Sequence, residues 1–168
     1  MRLWRNGMTQ KKYAEGTSVP IERTMAEILS VLKAHGCSSY AFAVERGVHQ
    51  IMFAHGGYSY KMSVIPPDEG NFELPATRQR RTSDGIKKAY EDEYRRRARV
   101  LLISVKAKME MCSIGSSIEK EFLGDLMLPT GRTMAQWSAE ELPKLNRGEE
   151  PTFMLMLAEG KDRGKADH

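Results

Sequence analysis

Two cysteines in a chain of 168 residues are too few for a disulfide framework. Cys37 and Cys112 also lack the paired spacing of a zinc module, so two reduced thiols are expected. Long apolar runs are missing as well. The longest, Val100 to Val105, falls far short of the roughly 20 residues that span a bilayer. The basic N-terminus (MRLWRNGMTQKK) has no apolar stretch of the kind a secretory signal needs, and no membrane partner is expected. Catalytic signatures are absent too: there is no G-x-S-x-G, no phosphate-cradling P-loop, no H-E-x-x-H and no His-x-Ser/Thr pair. Pro67-Asp68 with Glu159-Gly160-Lys161 spells the letters of a nuclease pattern, but the second half lies in a glycine-flanked tail where no strand would fix a carboxylate beside a metal. His35 and Cys37, like His49 and His55, are near neighbours without a third ligand. The expectation is a chain that is not an enzyme and carries no metal and no cofactor.

What the chain does have is an uneven distribution of positive charge. Its net charge is +4, yet nine basic residues stand between Arg78 and Arg99 against four acidic ones. That stretch alone carries +5, so the remainder is slightly acidic. The cations are Arg78, Arg80, Arg81, Lys87, Lys88, Arg95, Arg96, Arg97 and Arg99, with Lys61 as a candidate extension. Guanidinium groups bind phosphate bidentately, and several together give salt-sensitive affinity for a nucleic acid. The competing expectation is a solvated helix face, because Lys88 and Asp92, and Glu91 and Arg95, stand at i,i+4 and can neutralise one another.

Hydrophobic periodicity gives an α+β fold in one domain. A basic arm is expected over residues 1–16, a domain over 17–147 and a mostly disordered tail over 148–168. Ile21, Met25, Ile28 and Leu32 share one helical face between Pro20 and Gly36. Three strands follow, Ser39 to Arg46, Val48 to Ala54 and Tyr58 to Ile65, joined by two-residue turns at Arg46-Gly47 and Gly56-Gly57. With those turns, Tyr40, Phe42 and Val44 oppose Phe53, Ile51 and His49, and Phe53 and Ile51 oppose Tyr60 and Met62. All fall on one face, which the first helix is expected to cover. The aromatic residues Tyr40, Phe42, Phe53, Tyr58 and Tyr60 would stack on bases only if that face were open; core packing is the expectation, with Tyr58, beside the Gly56-Gly57 turn, the one most expected to be exposed. A proline- and charge-rich loop spans 66–82. A long helix then runs from Ser83 to Ser113, its stripe (Ile86, Tyr90, Tyr94, Ala98, Leu101, Val105, Met109, Cys112) passing without a phase break through the strand-like VLLISV. The stripe permits a dimer. Capping-box spacing at Ser116/Glu119 and at Thr133/Gln136 predicts two short helices, the second ended or bent by Pro143.

Four runs resemble a family of small phage- and prophage-encoded proteins, known mainly as uncharacterised. They are YAEGTSVPIERTMAEI at 13–28, RRTSDGIKKAYE at 80–91, the RRRARVLLISVKAKMEM helix and EKEFLGDLMLPTGRTMAQW at 119–137. The resemblance implies a phage or integrated-element origin and a bacterial cytoplasm. It supplies no catalytic residue to carry over. Two functions follow as expectations. One is an accessory protein that binds nucleic acid, with single-stranded DNA a natural ligand, through the basic helix and loop. The alternative is a protein-binding inhibitor of a bacterial defence system, an anti-CRISPR or other anti-defence factor, with the apolar patch Phe153 to Leu157 as an interface to a host protein.

Overall fold

The computed structural model describes residues 12–72 and 81–149. Arg78, Arg80 and the patch Phe153 to Leu157 lie outside them, as does all but the first two residues of the expected tail. The fold is α+β. An N-terminal helix α1 (Ile21–Ala34) leads into strands β1 (Ser38–Glu45), β2 (Val48–His55) and β3 (Tyr58–Ser63). The long helix α2 (Ser83–Ser113), the single-turn helix α3 (Ile118–Glu121) and helix α4 (Met134–Leu145) follow. Among the described residues no helix is long and apolar enough to cross a membrane.

The sheet is an antiparallel meander in the order β1-β2-β3. Its two turns are made by Arg46 (φ 49°) with Gly47 (φ 79°) and by Gly56 (φ 58°) with Gly57 (φ 83°). Two successive left-handed residues are what a type I′ turn requires, and that turn matches the twist of the strands it joins. The register follows from the turns: Val44 pairs with His49, Phe42 with Ile51, Phe53 with Tyr60 and Ile51 with Met62. The expected partnership of Tyr40 with Phe53 does not form. Ser39 takes φ 46° and the register slips between Ser38 and Ala41, a bulge that turns the start of β1 out of step.

α2 follows the predicted boundaries. Thr82 caps it, its hydroxyl accepting the Gly85 N–H at 3.2 Å. At 31 residues and roughly 1.5 Å per residue it is a rod of about 46 Å. Its stripe (Tyr94, Ala98, Leu102, Val105 and Met109) is buried against Met25, Ile28 and Leu32 of α1 and Ile51, Phe53, Tyr60 and Met62 of the sheet. The stripe is therefore core, with Leu102 in the buried place expected of Leu101, while Val100, Ile103 and Met111 stay exposed on α2. Two cap expectations resolve differently. Thr133 and Gln136 form the full reciprocal box at the start of α4. The cap of α3 is Ser117, whose hydroxyl accepts from Lys120 N, one residue beyond the expected Ser116. Pro143 does not end α4, which continues to Leu145. It sits in the last turn, close to where the helix stops anyway.

α1 packs against the sheet as expected and more extensively along α2, and the helical layer so formed buries Ile51 and Phe53 of β2 and Tyr60 and Met62 of β3. β1 is left outside its shelter: Tyr40, Phe42 and Val44 are 42%, 39% and 54% exposed, while Phe53 and Tyr60 on the neighbouring strands are buried. Core packing therefore fails for Tyr40 and Phe42, while Tyr58 is exposed beside the Gly56-Gly57 turn as expected.

Candidate functional site

The basic helix was the first place to look for a binding surface, and its geometry turns inward. At 100° per residue, Arg95, Arg96, Arg97 and Arg99 point around more than half of the helix circumference, and each finds an acceptor inside the chain. Arg95 pairs with Asp92. Arg96 makes a two-pronged pair with Glu93, Nε and Nη2 each 2.7 Å from a carboxylate oxygen. Arg97 donates from Nε to the same carboxylate at 3.1 Å and from Nη1 to the Ile65 and Pro66 carbonyls at 3.1 and 2.8 Å. Arg99 reaches Glu27 on α1 at 2.8 Å. The four side chains keep only 19 to 32% of their surface in water. Arg97 ties the exit of β3 to α2, and Arg99 ties α1 to α2. These are cross-ties of the fold. The pairs Lys88–Asp92 and Glu91–Arg95 do not form among the described residues; Asp92 is taken by Arg95, three residues further on.

Glu93 is the hub of this arrangement. The Arg96 guanidinium beside it, helped by Arg97 and opposed by burial, holds its carboxyl down to about 2 from an ordinary 4.5. A depressed carboxylate contributes stability that is complete above the unfolded value, near pH 4.5, and is lost as pH falls through about 2. Glu93→Gln is therefore expected to lower stability by roughly 2–3 kcal/mol at pH 7. The gap between variant and wild type should close progressively between pH 4.5 and 2, read by urea unfolding across pH. A gap independent of pH would show that the loss comes from packing and not from charge.

The remaining candidate cations divide by location. Arg81 is exposed just before α2, its Nη1 3.4 Å from the Phe72 carbonyl. Lys87 and Lys88 are exposed on the second turn of α2 and meet no carboxylate among the described residues. Lys61 does not extend this group. It alternates with the buried Tyr60 and Met62, so it projects from the sheet face opposite α1 and α2, where its Nζ donates to the Gly131 carbonyl at 3.3 Å.

The feature that sequence reasoning missed is the free edge of β1. In a two-residue hairpin the residues flanking the turn exchange both main-chain hydrogen bonds, and hydrogen-bonded pairs then alternate along the ladder. Glu45, Ala43 and Ala41 consequently turn their N–H and C=O groups toward β2, and Val44 and Phe42 turn theirs outward. The same alternation is visible on β2, where the His49 carbonyl accepts from Val64 N at 2.9 Å and its N–H donates to Tyr94 Oη at 3.0 Å. The far edge of the sheet is covered at one end, where Leu126 bridges to Tyr60 and Met127 N donates to the Ser59 carbonyl at 2.8 Å. Among the described residues nothing pairs with the outward groups of β1. Its side chains add an apolar border, with Phe42 stacked on His49 at 5.7 Å between ring centres. The signal was present in the sequence as uncharged residues from Ser38 to Val44, without the lysine or proline that blunts an edge strand.

The histidines form no constellation. His49 lies 3.8 Å from Glu22 and His55 lies 3.9 Å from Glu119, and no group of three or more His, Cys, Asp or Glu side chains among the described residues is placed to hold a metal ion. Cys37 and Cys112 are free thiols whose pKa values burial pushes up. No family model matches the chain, and no curated protein or solved structure is significantly similar to it.

Proposed function

We propose that this chain is a non-catalytic protein-binding factor that docks through the free edge of β1. The carrying observation is an eight-residue strand with unpaired main-chain groups and exposed Tyr40, Phe42 and Val44 side chains. An edge of this kind recruits an extended segment of a partner as an added strand, main-chain bonds giving affinity and alternate side chains giving selectivity. The resemblance to phage- and prophage-encoded proteins supports a host protein as the target, in the manner of an anti-CRISPR or other anti-defence factor. A tagged wild type incubated with nuclease-treated bacterial lysate is expected to retain a stoichiometric protein partner. Phe42→Asp, which puts a charge on the border without touching the core, is expected to retain less than a tenth of it. Equal capture by the two proteins, or none by the wild type, removes the reading.

A second reading, nucleic-acid binding, keeps one specific observation in its favour. Arg81, Lys87 and Lys88 are exposed around the start of α2, unmatched by carboxylates among the described residues. Each phosphate contact contributes about 0.9 to the slope of log affinity against log salt. Lys87→Glu with Lys88→Glu is expected to flatten that slope by about 2 in a gel-shift titration with single- and double-stranded DNA and RNA. No retarded band with the wild type at low salt ends this reading.

A further inference from the structure

We infer that a second copy of this chain pairs with β1, edge to edge and antiparallel, across a twofold axis at Ala43. The inference rests on the reading of β1 as a docking edge and names an occupant for it. A twofold axis maps a strand onto its own antiparallel partner, so the edge has to be complementary to itself. β1 is. The regular part of the strand runs from Ala41 to Glu45, inward of the bulge, and Ala43 is its midpoint. About that point Phe42 opposes Val44 of the second copy, and both are residues whose N–H and C=O face outward, so each such pair exchanges both main-chain bonds. Phe42 and Val44 also share the helix-facing side of the sheet, at the border the helices leave uncovered, and pairing sets an aromatic ring against a β-branched side chain on each side of the axis. On the other face Ala43 meets Ala43, small enough for close approach. No charged side chain between Ser38 and Val44 confronts its own copy. A charged residue at position 42, 43 or 44 would have opposed the arrangement.

The area sets the strength. The regular edge from Ala41 to Glu45 is about 17 Å long, and covering it buries less than the roughly 800 Å² per partner of a stable complex. The dimer is therefore weak and concentration-dependent, with dissociation in the micromolar range. It is also regulatory by construction: a partner strand and a second copy need the same main-chain groups, so self-association and partner capture exclude each other.

Sedimentation velocity of the full-length protein tests this directly. The wild type is expected to be monomeric near 1 μM and mostly dimeric near 200 μM. Phe42→Asp and Val44→Pro, the second of which deletes an outward N–H, are each expected to weaken association more than tenfold with an unchanged circular dichroism spectrum. Ala43→Cys is expected to cross-link two copies on treatment with diamide, whereas Ala41→Cys, opposite Glu45 in this register, is not. A wild type that stays monomeric at 200 μM overturns the dimer, as does association that both edge variants leave intact. Should either variant lose its fold, the cross-linking pair decides. If the wild type is monomeric yet Phe42→Asp still loses its lysate partner, the docking edge stands and its occupant is a foreign strand; if neither assay responds, both ideas fall.

Discussion

The triple variant Arg95→Glu/Arg96→Glu/Arg99→Glu is expected to melt at least about 10 °C below the wild type, and so to lose its fold before any binding surface can be assessed. Each reversal sets a carboxylate against one that now accepts a guanidinium: Asp92, Glu93 and Glu27. The Arg96–Glu93 contact dominates, because both side chains are more than four-fifths withdrawn from water and two hydrogen bonds are lost. Breaking one partner of a buried pair costs about 3–5 kcal/mol. Glu27 and Asp92 are 36% and 44% exposed, so solvent screens those contacts and they add about 1 kcal/mol or less each. The sum is a large fraction of the 5–15 kcal/mol that typically holds a domain together. The readout is thermal unfolding by circular dichroism. A triple variant as stable as the wild type would show that these three arginines are only loosely engaged, and would return them to the pool available to a polyanion.

Phe53→Ala is expected to cost roughly 3–5 kcal/mol, and Phe42→Ala under about 1 kcal/mol, although both residues are phenylalanines on the same face of adjacent strands. Phe53 is 1% exposed. Its ring lies 4.9 Å from the stacked Tyr60 ring and 5.4 Å from the edge-on Phe122 ring. Truncation leaves a cavity that three elements line and that none can fill without moving. Phe42 is 39% exposed and touches His49 at the border of the helical layer, so its loss removes little buried area. Urea unfolding of the two variants measures the difference. Equal costs would mean that the helices shelter β1 as fully as β2.

Much of this fold was legible along the chain because the signals are local. The face made by Ile21, Met25, Ile28 and Leu32, the uninterrupted stripe of α2, the Thr133 cap and the two left-handed turn pairs each depend on residues within a few positions of one another. The register of the meander then follows from turn length alone. The bulge at Ser39 escaped that logic, since a serine with positive φ leaves no mark in the sequence, and with it went the pairing of Tyr40.

The candidate site was legible in composition but not in availability. Nine cations in one stretch are visible to anyone who counts them. Whether a guanidinium is free depends on acceptors far away along the chain: Arg99 is satisfied by Glu27, 72 residues distant, and Arg97 by Ile65 and Pro66, 32 and 31 residues distant. The amino-acid sequence by itself determined the elements, their faces and the excess of charge, because periodicity, capping and turn chemistry act over a few residues. Only the tertiary structure decided that α1 lies along α2 and leaves β1 uncovered, and that the arginines bind the fold together. Both outcomes depend on which surfaces meet, and a Coulomb or van der Waals contact a few ångströms long is blind to separation along the chain.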